Sequence, residues 1–128
     1  MGTKPSRRQH FRDRCVIYYD HECHRWIAHS LDTDQIGDGG SVLEALVDLM
    51  RGVKTILDLA TEDPTIQVMC PAPANIRRMA ETALPLPEEI YEIACKQVHG
   101  RWPSQLTVLV DAPGEQHHRR LTSDLIFT

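Results

Sequence analysis

The chain has 128 residues, a length that suits one domain built around a single modest core. Apolar residues make up 41% and charged residues 25%, while aromatics reach only 5%, so Leu, Ile, Val and Ala must supply most of that core. A formal net charge of -4 weighs against non-specific nucleic-acid binding as the main role, and no run approaches the ~18 apolar residues of a membrane span.

Residues 1–12 carry Lys4, Arg7, Arg8 and Arg12 and are expected to form a disordered basic arm. No apolar stretch of the signal-peptide kind follows it, so a cytoplasmic location is expected. Cys15, Cys23, Cys70 and Cys95 form no C-x-x-C pair, and Cys15 and Cys95 fall in apolar periodic segments that predict buried, reduced thiols.

"RCVIYYD" at residues 14–20 and "RWIAHSL" at residues 25–31 are rich in β-branched and aromatic residues and predict an antiparallel hairpin. Period 2 places Cys15, Ile17 and Tyr19 on one face of the first strand and Val16 and Tyr18 on the other. In the second strand, Trp26 and Ala28 oppose Ile27, His29 and Leu31. A short third strand is predicted around residues 35–37.

An amphipathic helix is predicted over residues 41–60, because Val42, Leu46, Leu49, Val53, Ile56 and Ala60 recur at three- and four-residue steps. Ser41 and Glu44 form a capping box at its start. Beyond it, "TIQVM" at residues 65–69 predicts a fourth strand, and residues 76–83 a weak helix. "LPEEIYEIACKQVHG" at residues 86–100 predicts a better one, with Ile90, Ile93, Ala94 and Val98 on its buried face. "QLTVLVD" at residues 105–111 reads as a strand, "APGEQHHRR" as a turn and "DLIFT" as a terminal strand. Residues 71–73 and 84–87 are the expected hinges. No internal repeat is visible.

Three groups of residues invite chemistry. The loop "LDTDQIGDGGS" holds Asp32, Asp34 and Asp38. Set against a calcium loop that starts at Asp32, it has Ile36 at the fifth position and Leu43 at the twelfth, where oxygen ligands are required, so no metal is expected there. As a phosphate cradle, "GDGGS" lacks a lysine and contains an aspartate that repels phosphate. The hairpin turn "DHECHRW" brings His21, Cys23 and His24 together, but adjacent side chains seldom reach one zinc ion, and polar caps on a hairpin are the simpler reading. His117, His118, Arg119 and Arg120 read as an exposed loop. No nucleophile elbow is present, and no cysteine has an obvious base. A metal-dependent hydrolase would require Asp20, Asp32 and Asp38 to gather at one end of the sheet.

The order hairpin, short strand, capped helix and fourth strand, together with Trp26, "LD" at residues 31–32, "GDG" at 37–39, Ser41 and "EAL" at 44–46, resembles the HicB-like antitoxin family over roughly residues 13–70. The resemblance implies an α+β fold, a β-β-β-α-β sheet similar to a partial RNase H fold with one long helix across a face. Residues 71–128 would add a C-terminal helix and strand extension on the same domain. It further implies a non-catalytic, homo-oligomeric protein-binding module without a cofactor, whose partner is a small basic HicA-like toxin that cleaves RNA. Trp26, Asp32, Asp34 and Asp38 are the residues expected to face that partner. Residues 71–128 depart from the family pattern, since they contain no helix-turn-helix or ribbon-helix-helix segment for operator DNA. The rival expectation is a metal-dependent nuclease on the same RNase H-like sheet, and a third is a stand-alone domain whose C-terminal half closes its own surface.

Overall fold

The computed structural model describes residues 14–100 and, for its backbone, the strand Thr107–Val110. The basic arm, the turn after residue 111 and the terminal "DLIFT" strand lie outside the described residues. The chain is α+β: three antiparallel strands are followed by a long helix packed on them, then by short helices and further strands.

β1 (Arg14–Asp20) and β2 (Arg25–Ser30) form the predicted hairpin in a register that sets Cys15 opposite Ser30 and Tyr19 opposite Trp26. Asp20 closes the turn, its carboxylate accepting the amides of Glu22 and Cys23, and His24 takes the left-handed conformation that a tight reversal needs. β3 (Ile36–Gly39) pairs antiparallel with β2, slightly later in the chain than the predicted residues 35–37. α1 spans Val42–Glu62, two residues beyond the predicted end.

The cap at the start of α1 differs from the expected capping box in one bond. Ser41 Oγ accepts the Glu44 amide at 3.1 Å as predicted, but the Glu44 carboxylate accepts from the amide of Gly40, at 2.9 Å, one residue upstream of the cap. The diglycine corner brings that amide within reach. Ser41 is fully buried, so Ser41→Ala should lower the stability of the protein by about 1 kcal/mol, read as a shift in urea midpoint with an unchanged slope.

The faces read from period 2 hold. Cys15, Ile17, Trp26 and Ala28 pack beneath Val42, Leu46, Leu49 and Val53 of α1 in the main core, with Tyr19 at its margin. Ile56 and Ala60 are only half-buried, so the stripe is covered over its first three turns and not its last. Val16 and Leu31 face the other way, into a smaller cluster with Ala72, Ile76 and the half-buried Tyr18.

The predicted strand at residues 65–69 does not form. Asp63 instead makes a turn, its carboxylate accepting the Thr65 amide at 3.0 Å and the Thr65 hydroxyl at 2.6 Å. Ile66 and Val68 are half-buried while Thr65, Gln67 and Met69 are exposed, so the alternation is real but has no ladder partner. The chain then runs past the end of β2, where the amides of Cys70 and Ala72 donate to the carbonyls of Asp32 and Leu31.

α2 (Ala74–Ala80) starts and ends earlier than predicted and sets Ile76 against the Val16 face. β4 (Leu84–Pro85) occupies the expected second hinge but is paired into the sheet. α3 (Glu88–Gln97) buries Ile90, Ala94 and Cys95 against the main core, while Ile93 and Val98 lie at its edge. β5 (Thr107–Val110), within the predicted strand at residues 105–111, runs parallel to β1. The strand order is β3-β2-β1-β5-β4, which leaves β3 with one neighbour only among the described residues.

Candidate protein-binding edge beside the aspartate loop

The loop between β2 and β3 is organised from inside by two hydroxyls. Ser30 Oγ accepts the Thr33 amide at 3.0 Å, the Asp32 amide at 3.3 Å and the Thr33 hydroxyl at 2.7 Å, and both residues are buried. Those bonds turn the chain tightly enough that Asp34 adopts the left-handed region, φ 57°, which aspartate tolerates better than most residues. Nothing in the residue spacing singled out the hydroxyl pair.

Each loop aspartate is held by a different residue of the protein. Asp32 accepts the Arg14 amide at 2.7 Å and the Arg14 guanidinium at 3.0 Å, and its side chain is only 14% exposed. Hydrogen bonding to Asp32 pushes the Arg14 pKa further up, so the guanidinium stays charged. Asp34 meets His29 Nε2 at 2.6 Å; since a carboxylate only accepts, that nitrogen carries the proton. His29 Nδ1 is buried without a hydrogen-bond partner among the described residues. Asp38 accepts from Arg25 Nε at 3.2 Å, and its carboxylate is half-exposed.

Trp26 requires a correction. It is 1% exposed, beneath α1 and edge-on to Tyr19 at 5.4 Å, so it has no surface to offer a partner. Period 2 grouped it with Ala28, and α1 covers the face that those two share.

The other chemistries can be placed as well. The back half of a twelve-residue calcium loop is occupied by β3 and the first turn of α1, with Leu43 buried. Asp20 lies at the hairpin end of β1 and Asp32 at the opposite end, about 20 Å apart at the usual rise per residue, so the gathering of Asp20, Asp32 and Asp38 does not occur. Among the described residues, no three His, Cys, Asp or Glu side chains are placed to hold a metal ion. At the hairpin turn, the Asp20 carboxylate raises the Cys23 thiol pKa and so favours the thiol over the thiolate that zinc binds. The amides of Cys23 and Glu22 in turn hold the Asp20 carboxyl below its usual range.

What remains open among the described residues is the outer edge of β3. The Ser30 amide donates to the Gln35 carbonyl at 2.9 Å, which makes that pair a hydrogen-bonded one. By the alternation of an antiparallel ladder, Gly37 and Gly39 then bond inward to β2, while the amides and carbonyls of Ile36 and Asp38 point outward. The Asp38 amide is met there by Asp48 of α1, at 3.0 Å. Ile36 is 59% exposed, the most exposed large apolar residue described. Asp34, Asp38, Glu44 and Asp48 border this edge, and Arg25 is the cation bonded there. Neither Ile36 nor Asp48 stood out in the sequence, since Ile36 belongs to a plausible strand and Asp48 to the polar face of a helix. No helix among the described residues is long and apolar enough to cross a membrane. Compared with protein-family models, curated proteins and solved structures, the chain matches none.

Proposed function

We propose that this chain is a non-catalytic protein-binding module of the HicB-like antitoxin kind, which holds a small, basic, RNA-cleaving protein in an inactive complex. The observation that carries the reading is the β3 edge, a strand left open among the described residues, with an exposed Ile36 bordered by carboxylates. Three antiparallel strands followed by a capped helix are consistent with it. A stand-alone domain that closed its own surface would place its later strands over the binding edge. Among the described residues, β4 and β5 extend the sheet on the far side of β1. A carboxylate-rich edge also suits a basic partner, because complementary charge steers encounter and disfavours wrong partners. The protein is proposed to act as a homo-oligomer in the cytoplasm, without operator DNA as an obligatory ligand.

Affinity purification from the native cell in mild salt tests this reading. The expected result is a stoichiometric small basic protein, released in high salt, whose ribonuclease activity falls to zero as the purified chain is added in equal amount. Asp38→Lys should weaken that capture by at least about tenfold, since it replaces an attractive charge with a repulsive one at a half-exposed position. Recovery of the chain alone, or of a partner with no ribonuclease activity to inhibit, would count against the proposal.

A further inference from the structure

We infer that the partner engages this protein by adding a basic β-strand to the outer edge of β3, displacing the Asp48 carboxylate from the Asp38 amide as it docks. The inference deepens the proposed function, and rests on it for the biological identity of the partner but not for the chemistry of the edge. Four observations converge on it. The outward amides and carbonyls of Ile36 and Asp38 have no neighbouring strand among the described residues. Ile36 stands exposed on the face away from α1, where an apolar side chain of an added strand would lie beside it. Asp38 has its amide satisfied by a side chain rather than by backbone, and a side-chain acceptor can be exchanged for a carbonyl. Finally, carboxylates lie before, within and after the strand, at Asp34, Asp38 and Glu44, with Asp48 alongside.

Charge decides between the occupants. A second copy of this chain pairing edge to edge about a two-fold axis would bring two carboxylates, Asp38 and Asp48, and one cation, Arg25, from each copy to the seam, and that excess of like charge across a ladder is destabilising. A strand carrying lysine or arginine at alternate positions meets no such penalty. Its cations can take up the Asp48 carboxylate that its backbone releases, so no charge is left stranded. Asp38 and Asp48 thus discourage self-association through this edge, which leaves other surfaces free for an oligomer, and together with Asp34 and Glu44 they favour a basic strand.

The test uses the full chain, isotope-labelled for amide NMR, and a synthetic peptide that alternates valine and lysine over seven residues with blocked ends. A second peptide of the same sequence carries N-methyl groups on alternate residues of its bonding edge, which removes its ladder donors while keeping its charge. The expected result is that the unmethylated peptide shifts and protects the amides of Ile36 and Asp38, and that the methylated one binds about tenfold or more weakly, the loss of one to two backbone hydrogen bonds. Ile36→Pro should abolish the protection while leaving the β2–β3 ladder intact, because the proline removes only an outward-facing donor. If that variant fails to fold, Ile36→Lys serves instead, by repelling the incoming cations. Equal binding of both peptides would mean adsorption by charge alone and would overturn the inference, as would no binding at low-millimolar peptide. Protection of the Ile36 amide in the free chain would overturn it too: with a dimer in sedimentation the occupant is a second copy, and with a monomer it is another segment of this chain. Because the peptide replaces the partner, failure here leaves the ribonuclease-inhibition assay standing, and failure of that assay leaves the edge chemistry standing.

Discussion

Replacing Gly37 with alanine should destabilise the protein by about 3 kcal/mol or more, the upper end of what overpacking costs. A methyl group built on Gly37 would meet the backbone of α1, at the amide of Leu49 and, at 2.7 Å, the carbonyl oxygen of Ala45. Most small-to-large changes are relieved by a side chain that swings aside. Here the obstacle is the main chain of a 21-residue helix, which cannot yield without lifting off the sheet. Gly39 is confined in the same way, with a methyl group 2.5 Å from Glu44 Cβ and 2.8 Å from the Ala45 amide. Gly52 supplies the control. It lies within α1 with only Gln35 Oε1 within 4.0 Å of a methyl group, so Gly52→Ala should stabilise by about 0.5–1 kcal/mol through helix propensity. In urea, the midpoints of the two variants should therefore move in opposite directions, Gly37→Ala downward by more than about 1 M. Equal and small shifts would mean that α1 is not seated on the glycine face of β3.

That close seating links the core to the proposed binding edge. Because Gly37 and Gly39 face α1, the intervening residues Ile36 and Asp38 face away from it, and Asp48 of the helix is near enough to reach the Asp38 amide. A helix pushed outward by a methyl group would lose that bond first. In the folded fraction of Gly37→Ala, hydrogen exchange at the Asp38 amide should accelerate ahead of exchange at Ala28 in β2.

What could be read from the sequence was the local part of the structure. The alternation grouped Cys15 with Ile17 in β1 and Trp26 with Ala28 in β2, and the three- and four-residue steps of Val42, Leu46, Leu49 and Val53 supplied the helix that covers both pairs. Ser41 marked where that helix begins. The parts that escaped depend on distant partners. Residues 65–69 alternate like a strand, but the place beside β1 belongs to β5, some 40 residues later in the chain, and no local pattern ranks one candidate above the other. The bonding partners of the loop aspartates escaped for a related reason. Asp34, Asp38 and Asp32 are bound to residues 5, 13 and 18 positions away. The β1–β2 register brings Arg14 to Asp32, while the β2–β3 turn and register bring His29 to Asp34 and Arg25 to Asp38.

Trp26 is where the two readings of the site separate most sharply. As a buried side chain among Tyr19, Ala28 and the underside of α1, its replacement by alanine should remove about 3–5 kcal/mol, a large part of the stability of a domain of this size. The melting temperature should fall by roughly 10–20 °C, and part of that loss reflects the edge-on contact with the Tyr19 ring. Trp26→Phe keeps an aromatic ring in the cavity and should recover much of the difference. A partner-facing tryptophan would behave in the opposite way, costing affinity and leaving the melting curve in place. The decisive measurement is therefore made on the folded fraction of Trp26→Ala, at low temperature, with binding of the partner or of the valine-lysine peptide as the readout. Affinity per folded molecule should match that of the unaltered chain, because Trp26 contributes to the edge only by supporting the sheet from below. A tenfold loss of affinity at unchanged stability would return Trp26 to the binding surface and would contradict its burial beneath α1.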